Sequence, residues 1–325
     1  MIFGRLSSSE LMNKNKIYVL TMLLMPLNQV MALEPLDDQT LSTTTGQDGI
    51  NVGITLPKVD IGQVALIDKD GIGSKILNQD YNQAASLTMA STSNAPMSIN
   101  FVGANNSPTI KAVVDTDAGN GQAFANIGLG FGSQITGLKM SPFAVYLSNT
   151  NATTGLGKSK DVFTAAGALN TGVTKFVEIG SASNNFEINF VQGNSPSVNI
   201  QLGNVPQSQM IKFSGAIQSI CGTGSGCPIA VISGDTSAKV DFQVKGNAAT
   251  GISLNGFYAG IEPTGFVFGN TGASSKMDVA FNNVMLGNDA AISPTIFNAL
   301  PNGSMGSFGA VGASVKDLKV SIRGL

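Results

Sequence analysis

Few residues in this chain have the types and spacing to do chemistry. Cys221 and Cys227 are the only cysteines, and they enclose Gly-Thr-Gly-Ser-Gly. Two thiols this close on a glycine-rich ring can close a disulfide in an oxidising compartment, and a structural disulfide is the expectation. A redox pair more typically reads C-x-x-C, and a zinc site would need two further soft ligands. Asp68-Lys69-Asp70-Gly71 and Asp115-Thr116-Asp117-Ala118-Gly119 both open like calcium loops. Calcium takes about six to eight oxygens, and neither stretch supplies them locally. Asp68, Asp70, Asp115 and Asp117 are therefore calcium candidates only with help from distant groups; otherwise they are turn aspartates. Two carboxylate pairs, Asp235 with Asp241 and Glu178 with Glu187, have the residue type that glycoside hydrolysis requires. No G-x-S-x-G motif accompanies the serines.

Composition narrows these options. Histidine and tryptophan are absent, which removes the commonest general base, the usual activator of serine or cysteine, and the leading transition-metal ligand. The expectation is a protein that is not an enzyme and carries no cofactor and no metal. Arg5 and Arg323 are the only arginines. No basic stripe exists to neutralise a row of phosphates, so nucleic acid is not an expected partner. The scarcity of tyrosine and lack of tryptophan also argue against an outer-membrane barrel with aromatic girdles.

Period-2 alternation dominates the pattern. Met97-Ser-Ile-Asn-Phe101, Phe186-Glu-Ile-Asn-Phe190, Val198-Asn-Ile-Gln-Leu202, Val240-Asp-Phe-Gln-Val244, Met277-Asp-Val-Ala-Phe281 and Leu318-Lys-Val-Ser-Ile322 each present one apolar and one polar face. That is the signature of half-buried antiparallel strands. Gly and Asn clusters punctuate them, as tight turns require. The reading is all-β: elongated, mostly antiparallel sheets, sandwich-like or rolled, with few short helices over residues 76–90, 161–169 and 292–300. No fixed repeat emerges, and the loosely similar stretches 199–205, 251–261 and 278–287 read as bent or bulged strands. Within the β-rich body, residues 76–325, the patch 221–227 is the best candidate for an internal boundary.

The chain opens with Lys14 and Lys16, an apolar run over residues 17–27, then Val30-Met31-Ala32. This reads as a signal peptide over residues 1–32, cut between Ala32 and Leu33, with Met1 or Met12 as the start. The apolar run is too short to span a bilayer, so the mature chain has no transmembrane segment. Residues 33–75 carry the Leu36-Asp37-Asp38 turn, Leu41-Ser42, Gly46-Gln47-Asp48-Gly49-Ile50 and Asp68-Lys69-Asp70-Gly71. This block resembles the start of FilA-type pilus-assembly, or fimbrial, proteins of Gram-negative gammaproteobacteria. The resemblance implies a secreted protein of the cell surface or a fimbrium, with the periplasm or an outer-membrane association as the alternative location, and a part in cell adhesion. Its implied partners are other pilus or outer-membrane assembly proteins, together with self-association. The alternatives are a periplasmic or surface module binding lipid or glycan, and a carbohydrate-active enzyme using paired carboxylates.

Overall fold

A computed structural model describes residues 49–72, 75–76, 78–103, 109–117, 123–149, 161–203, 209–233, 236–287 and 303–323. The signal peptide, the Ala32–Leu33 cut, residues 33–48 of the 33–75 block, Asp235 and the suggested helix at 292–300 lie outside the described residues. The described residues form one compact unit.

The described residues are all-β and contain no helix. Their strands follow one another as eight antiparallel rungs, each adjacent in space to the next in sequence. Rung 1 is β1 (Ile50–Ile54), β2 (Lys58–Ile61) and β3 (Gln63–Asp68), followed by a small hairpin of β4 (Lys75–Ile76) and β5 (Gln79–Asp80). Rung 2 is β6 (Ala85–Ser91), β7 (Met97–Val102) and β8 (Ile110–Asp117); rung 3 is β9 (Phe124–Phe131), β10 (Gly137–Met140) and β11 (Phe143–Asn149). Rung 4 is β12 (Val173–Ile179), β13 (Phe186–Phe190) and β14 (Ser197–Gly203); rung 5 is β15 (Ile211–Ser214), β16 (Ala216–Ile220) and β17 (Cys227–Ser233). Rung 6 is β18 (Thr236–Gly246), β19 (Ile252–Ser253) and β20 (Phe257–Glu262). Rung 7 is β21 (Gly265–Asn270) and β22 (Met277–Gly287), and rung 8 is β23 (Gly303–Ala313) and β24 (Lys319–Ile322).

Because each rung bends at matching places, the meander has three walls. The first is the eight-stranded sheet β1-β8-β9-β14-β15-β20-β21-β24. The fourteen-stranded sheet supplies the other two, a middle wall of β2, β7, β10, β13 and β16 and a third wall of β3, β6, β11, β12 and β17. The long strands β18, β22 and β23 span both. Among the described residues rungs 1 and 8 do not pair with each other, so the sheet does not close into a barrel.

The corners are built from turn residues. At Gly215, between β15 and β16, φ is +85°, and a Cβ would sit 2.3 Å from the Ser195 carbonyl oxygen. Only glycine meets both demands. The patch at 221–227 is the corner between β16 and β17 inside a continuous sheet, not a gap between two bodies.

Two suggested helices are corrected. In the 76–90 stretch, β6 pairs with β3 on one side and β11 on the other, and its alternating Ser86, Thr88 and Ala90 are buried. Ladder pairing on both edges outweighs any helical preference there. Residues 161–169 fold instead as a looped flap, with Thr164 N–H donating to the Ala168 carbonyl and Asn170 N–H to the Val162 carbonyl. Gly167 at φ +85° lets the chain double back. Val162 and Phe163 of this flap cover Ala90, Ala144, Tyr146 and Val173, the main buried cluster. Beneath it the Ser86, Thr88 and Ser148 hydroxyls satisfy one another, and the Tyr146 hydroxyl donates to the Ser91 carbonyl at 2.8 Å.

Candidate functional site

Register decides which side chains share a face. In the first wall, Ile50, Val114, Ile127, Ile200, Ile211, Ala259, Phe268 and Val320 lie opposite one another across all eight strands. In the middle wall the row is Phe101, Leu138, Ile188, Ile220, Val244 and Val279. In the third wall it is Val64, Met89, Val145, Val177, Val231, Ala238 and Leu286. Directly opposed residues point to one side of a sheet, so each row makes an apolar face on its wall.

All three apolar faces turn to the same side of the bent sheet. Phe131 of the first wall lies 4.8 Å, ring to ring, from Phe190 of the middle wall, while Phe143 of the third wall lies 6.3 Å from Phe186. Phe186 and Phe190 share a face of β13, because they are four positions apart in a strand of period 2. The result is an apolar gutter, closed by packing at its corners and open along the third wall, where Leu147 and Val231 are each about half exposed. On the middle wall the opposite face carries Lys139, Glu187, Asn189, Ser219 and Lys245, as a wetted sheet surface should, whereas on the third wall it carries Ala90, Ala144, Tyr146 and Val173, buried under the flap.

The two end rungs form the second feature. Among the described residues β1, β2 and β3 pair only with rung 2, and β23 and β24 only with rung 7. Each leaves one ladder edge unpaired by any described strand. Leu66 on rung 1 is 73% exposed; Met305, Phe308 and Val311 on rung 8 are 69%, 64% and 85% exposed. Phe308 ends a column of rings, 5.0 Å from Phe281, which lies 5.6 Å from Phe242. Beside the rung 1 edge is a cavity of about 780 Å³ lined by residues 62–65, Ala90, residues 94–96 and residues 161–165 of the flap.

The residues singled out in the sequence are distributed elsewhere. Cys221 and Cys227 form a disulfide with a Cα–Cα distance of 5.2 Å, and both are buried. The corner is further pinned by Glu187, which accepts from the Thr223 N–H at 3.1 Å and from its hydroxyl, and by Asp241, which accepts from the Ser225 hydroxyl at 2.7 Å. Asp68 accepts from the Asp70 and Gly71 N–H groups at 3.2 and 3.0 Å, which hold its carboxyl below its ordinary value. It is a turn aspartate at the end of β3. Asp115 lies in β8 and accepts from the Thr116 N–H at 2.8 Å; Asp117 ends the same strand. Among the described residues, no three His, Cys, Asp or Glu side chains come together in a metal-holding cluster.

Glu178 pairs with Lys175 at 2.5 Å on β12, whereas Glu187 serves the disulfide corner from β13. The two carboxylates have separate partners on separate walls. No helix among the described residues is long and apolar enough to cross a membrane. The gutter and the open rungs were missed in the sequence because both depend on register. The signal that was available for rung 8 is the stretch 303–313, GSMGSFGAVGA, eleven residues without charge or proline.

Residues 11–105 match a family of unknown function, DUF6160. The matched span takes in all of rung 1 and the first two strands of rung 2. No curated protein and no solved structure matches the chain.

Proposed function

We propose that this chain is an exported, non-enzymatic β protein of the cell surface that serves in the structure or assembly of a pilus- or fimbria-like fibre. The observation that carries the reading is the pair of terminal rungs, rich in exposed apolar side chains, whose outer edges no described strand covers. Folded proteins ordinarily blunt such edges with charge, proline or a covering segment, because an open ladder invites another strand. The buried disulfide is in keeping with an oxidising compartment, and the resemblance of residues 33–72 to fimbrial proteins supports the same setting. The test is to fractionate cells and image their surface with and without this protein. The expected result is a processed chain outside the cytosol and loss of surface fibres on deletion. Processed protein confined to the cytosol refutes the reading.

A second reading is favoured by the gutter. Apolar rows on three walls could hold an acyl chain along the rungs, with polar groups kept at the rim. Replacing Val231, half exposed and mid-gutter, with Asp should reduce binding of a fluorescent fatty acid severalfold. Unchanged binding, or no binding by the unaltered protein, excludes it.

A further inference from the structure

Resting on the reading of the chain as a fibre component, we propose that it polymerises head to tail with itself, rung 8 of one copy pairing antiparallel with rung 1 of the next.

Direction of travel is the first argument. Odd rungs run from the first wall to the third, and even rungs run back. With eight rungs the last runs opposite to the first, so a second copy placed in the same orientation continues the antiparallel alternation without inversion. An odd number of rungs would have set parallel strands at that junction.

Segment lengths agree as well. β23 has eleven residues, and β2 and β3, with four and six, flank the single residue Gly62. β24 and β1 have four and five. Both rungs therefore put a short segment on the first wall and a long one on the other two. Chemistry matches too. Residues 303–313 carry no charge, while Lys58 and Asp60 on rung 1 neutralise each other at 2.7 Å.

Size is adequate. At ~3.3 Å per residue such an edge runs about 50 Å. A ladder that long, with side chains on both faces, buries on the order of 1,200 Å² in all, near the lower bound for stable association. Because the two surfaces differ, the contact is heterologous and does not close after two copies; it generates an open filament.

The test uses the purified full chain. With the two long segments overlapped, Leu66 falls opposite Met305, and both are exposed in the single copy. Leu66→Asp blocks the leading edge and Met305→Asp the trailing edge. By sedimentation velocity, the unaltered protein should grow into linear oligomers with concentration. Each variant alone should stay monomeric, and an equimolar mixture should stop at dimers, because each copy retains one good edge. Single-cysteine copies, Leu66→Cys and Met305→Cys, should join through a short bismaleimide only when mixed. The inference is overturned if the unaltered protein stays monomeric, if either Asp variant polymerises like the parent, if the mixture forms no dimers, or if each cysteine copy cross-links equally well to itself. A monomer whose edge amides resist hydrogen exchange would mean that another stretch of its own chain covers the edge. Monomeric protein from cells whose fibres vanish on deletion defeats this interface and leaves the fibre reading standing; a cytosolic chain defeats the fibre reading itself.

Discussion

Replacing both Cys221 and Cys227 with alanine tests how local the disulfide is. The bonded residues are six apart, and closing a loop that short restricts the unfolded chain by roughly 2 kcal/mol in the chain-entropy account. Little else should be lost, because the corner is held by other bonds. Gln243 Nε2 donates to the Cys221 and Gly224 carbonyls at 3.3 Å each, Asn184 Nδ2 to the Gly226 carbonyl at 3.0 Å, and Asn282 Nδ2 to the Ser225 carbonyl at 2.7 Å. The expected cost is therefore about 2 kcal/mol, or a fall of roughly 4–8 °C in Tm. Serine should be worse than alanine. Both sulfurs are buried, and only the one at 227 has a carbonyl in reach, that of Asn185 at 3.2 Å; an unpaired buried hydroxyl adds about 1 kcal/mol or more. Urea unfolding of the parent and the two double variants measures this, and limited proteolysis should show new cleavage confined to residues 222–226. A double-alanine protein that fails to fold, or one indistinguishable from the parent, refutes the reasoning. So would two thiols that label in the native protein.

Tyr146→Phe should destabilise by about 1–2 kcal/mol, because the Ser91 carbonyl loses its buried donor; a denaturant midpoint reads this. Burial, with the Glu178 carboxylate nearby, pushes the Tyr146 phenol up to about 12. The fold holds its neutral form, so its contribution is intact below the ordinary value near ~10 and is lost as pH rises through the folded value. An ultraviolet titration should show one tyrosine ionising later than the others. Asp278 accepts from the Gly312 N–H at 2.8 Å and from Asn247 Nδ2 at 2.9 Å, which hold its carboxyl below its ordinary value. Its contribution is present above the unfolded value and disappears as pH falls through the lower folded one, so the protection of β23 amides relative to their intrinsic exchange rates should fall in acid, less so in Asp278→Asn. Gly215→Ala should cost about 2–3 kcal/mol through the forced positive φ and the clash with Ser195, again read from the denaturant midpoint.

Strands were legible wherever one face is wet and the other is not. Five of the six alternating stretches picked out in the sequence lie wholly in strands, β7, β13, β14, β18 and β22, and the sixth enters β24 at Lys319. Bends were partly legible too. In the 251–261 stretch, β19 and β20 flank a kink at Asn255-Gly256, and β22 shifts register between Phe281 and Val284, where Asn283 adopts φ +52°. The flap at 161–169 was misread because its apolar residues are spaced for packing onto Tyr146, and that spacing mimics a helix. The continuity of three strands through two corners was invisible, since no local pattern says which neighbour a strand will choose.

The disulfide needed only two residue types and a short spacing, so it could be read from the chain. The gutter needed the relative register of eight rungs, which hairpin and corner lengths fix together and no single segment encodes. Yet the alternation already contained half of the answer. An antiparallel sheet covered on one face gives the same pattern whether its apolar side meets another sheet or remains partly open. Exposure separates these cases here. Phe143 and Phe190 are buried where walls meet, whereas Leu66, Leu147 and Val231 stand half or more open on the third wall. Adding rungs end to end would cover Leu66 and Phe308 but leave Leu147 and Val231 as they are. The edge and the gutter are therefore separate apolar surfaces, and a substitution that silences one should leave the other unchanged.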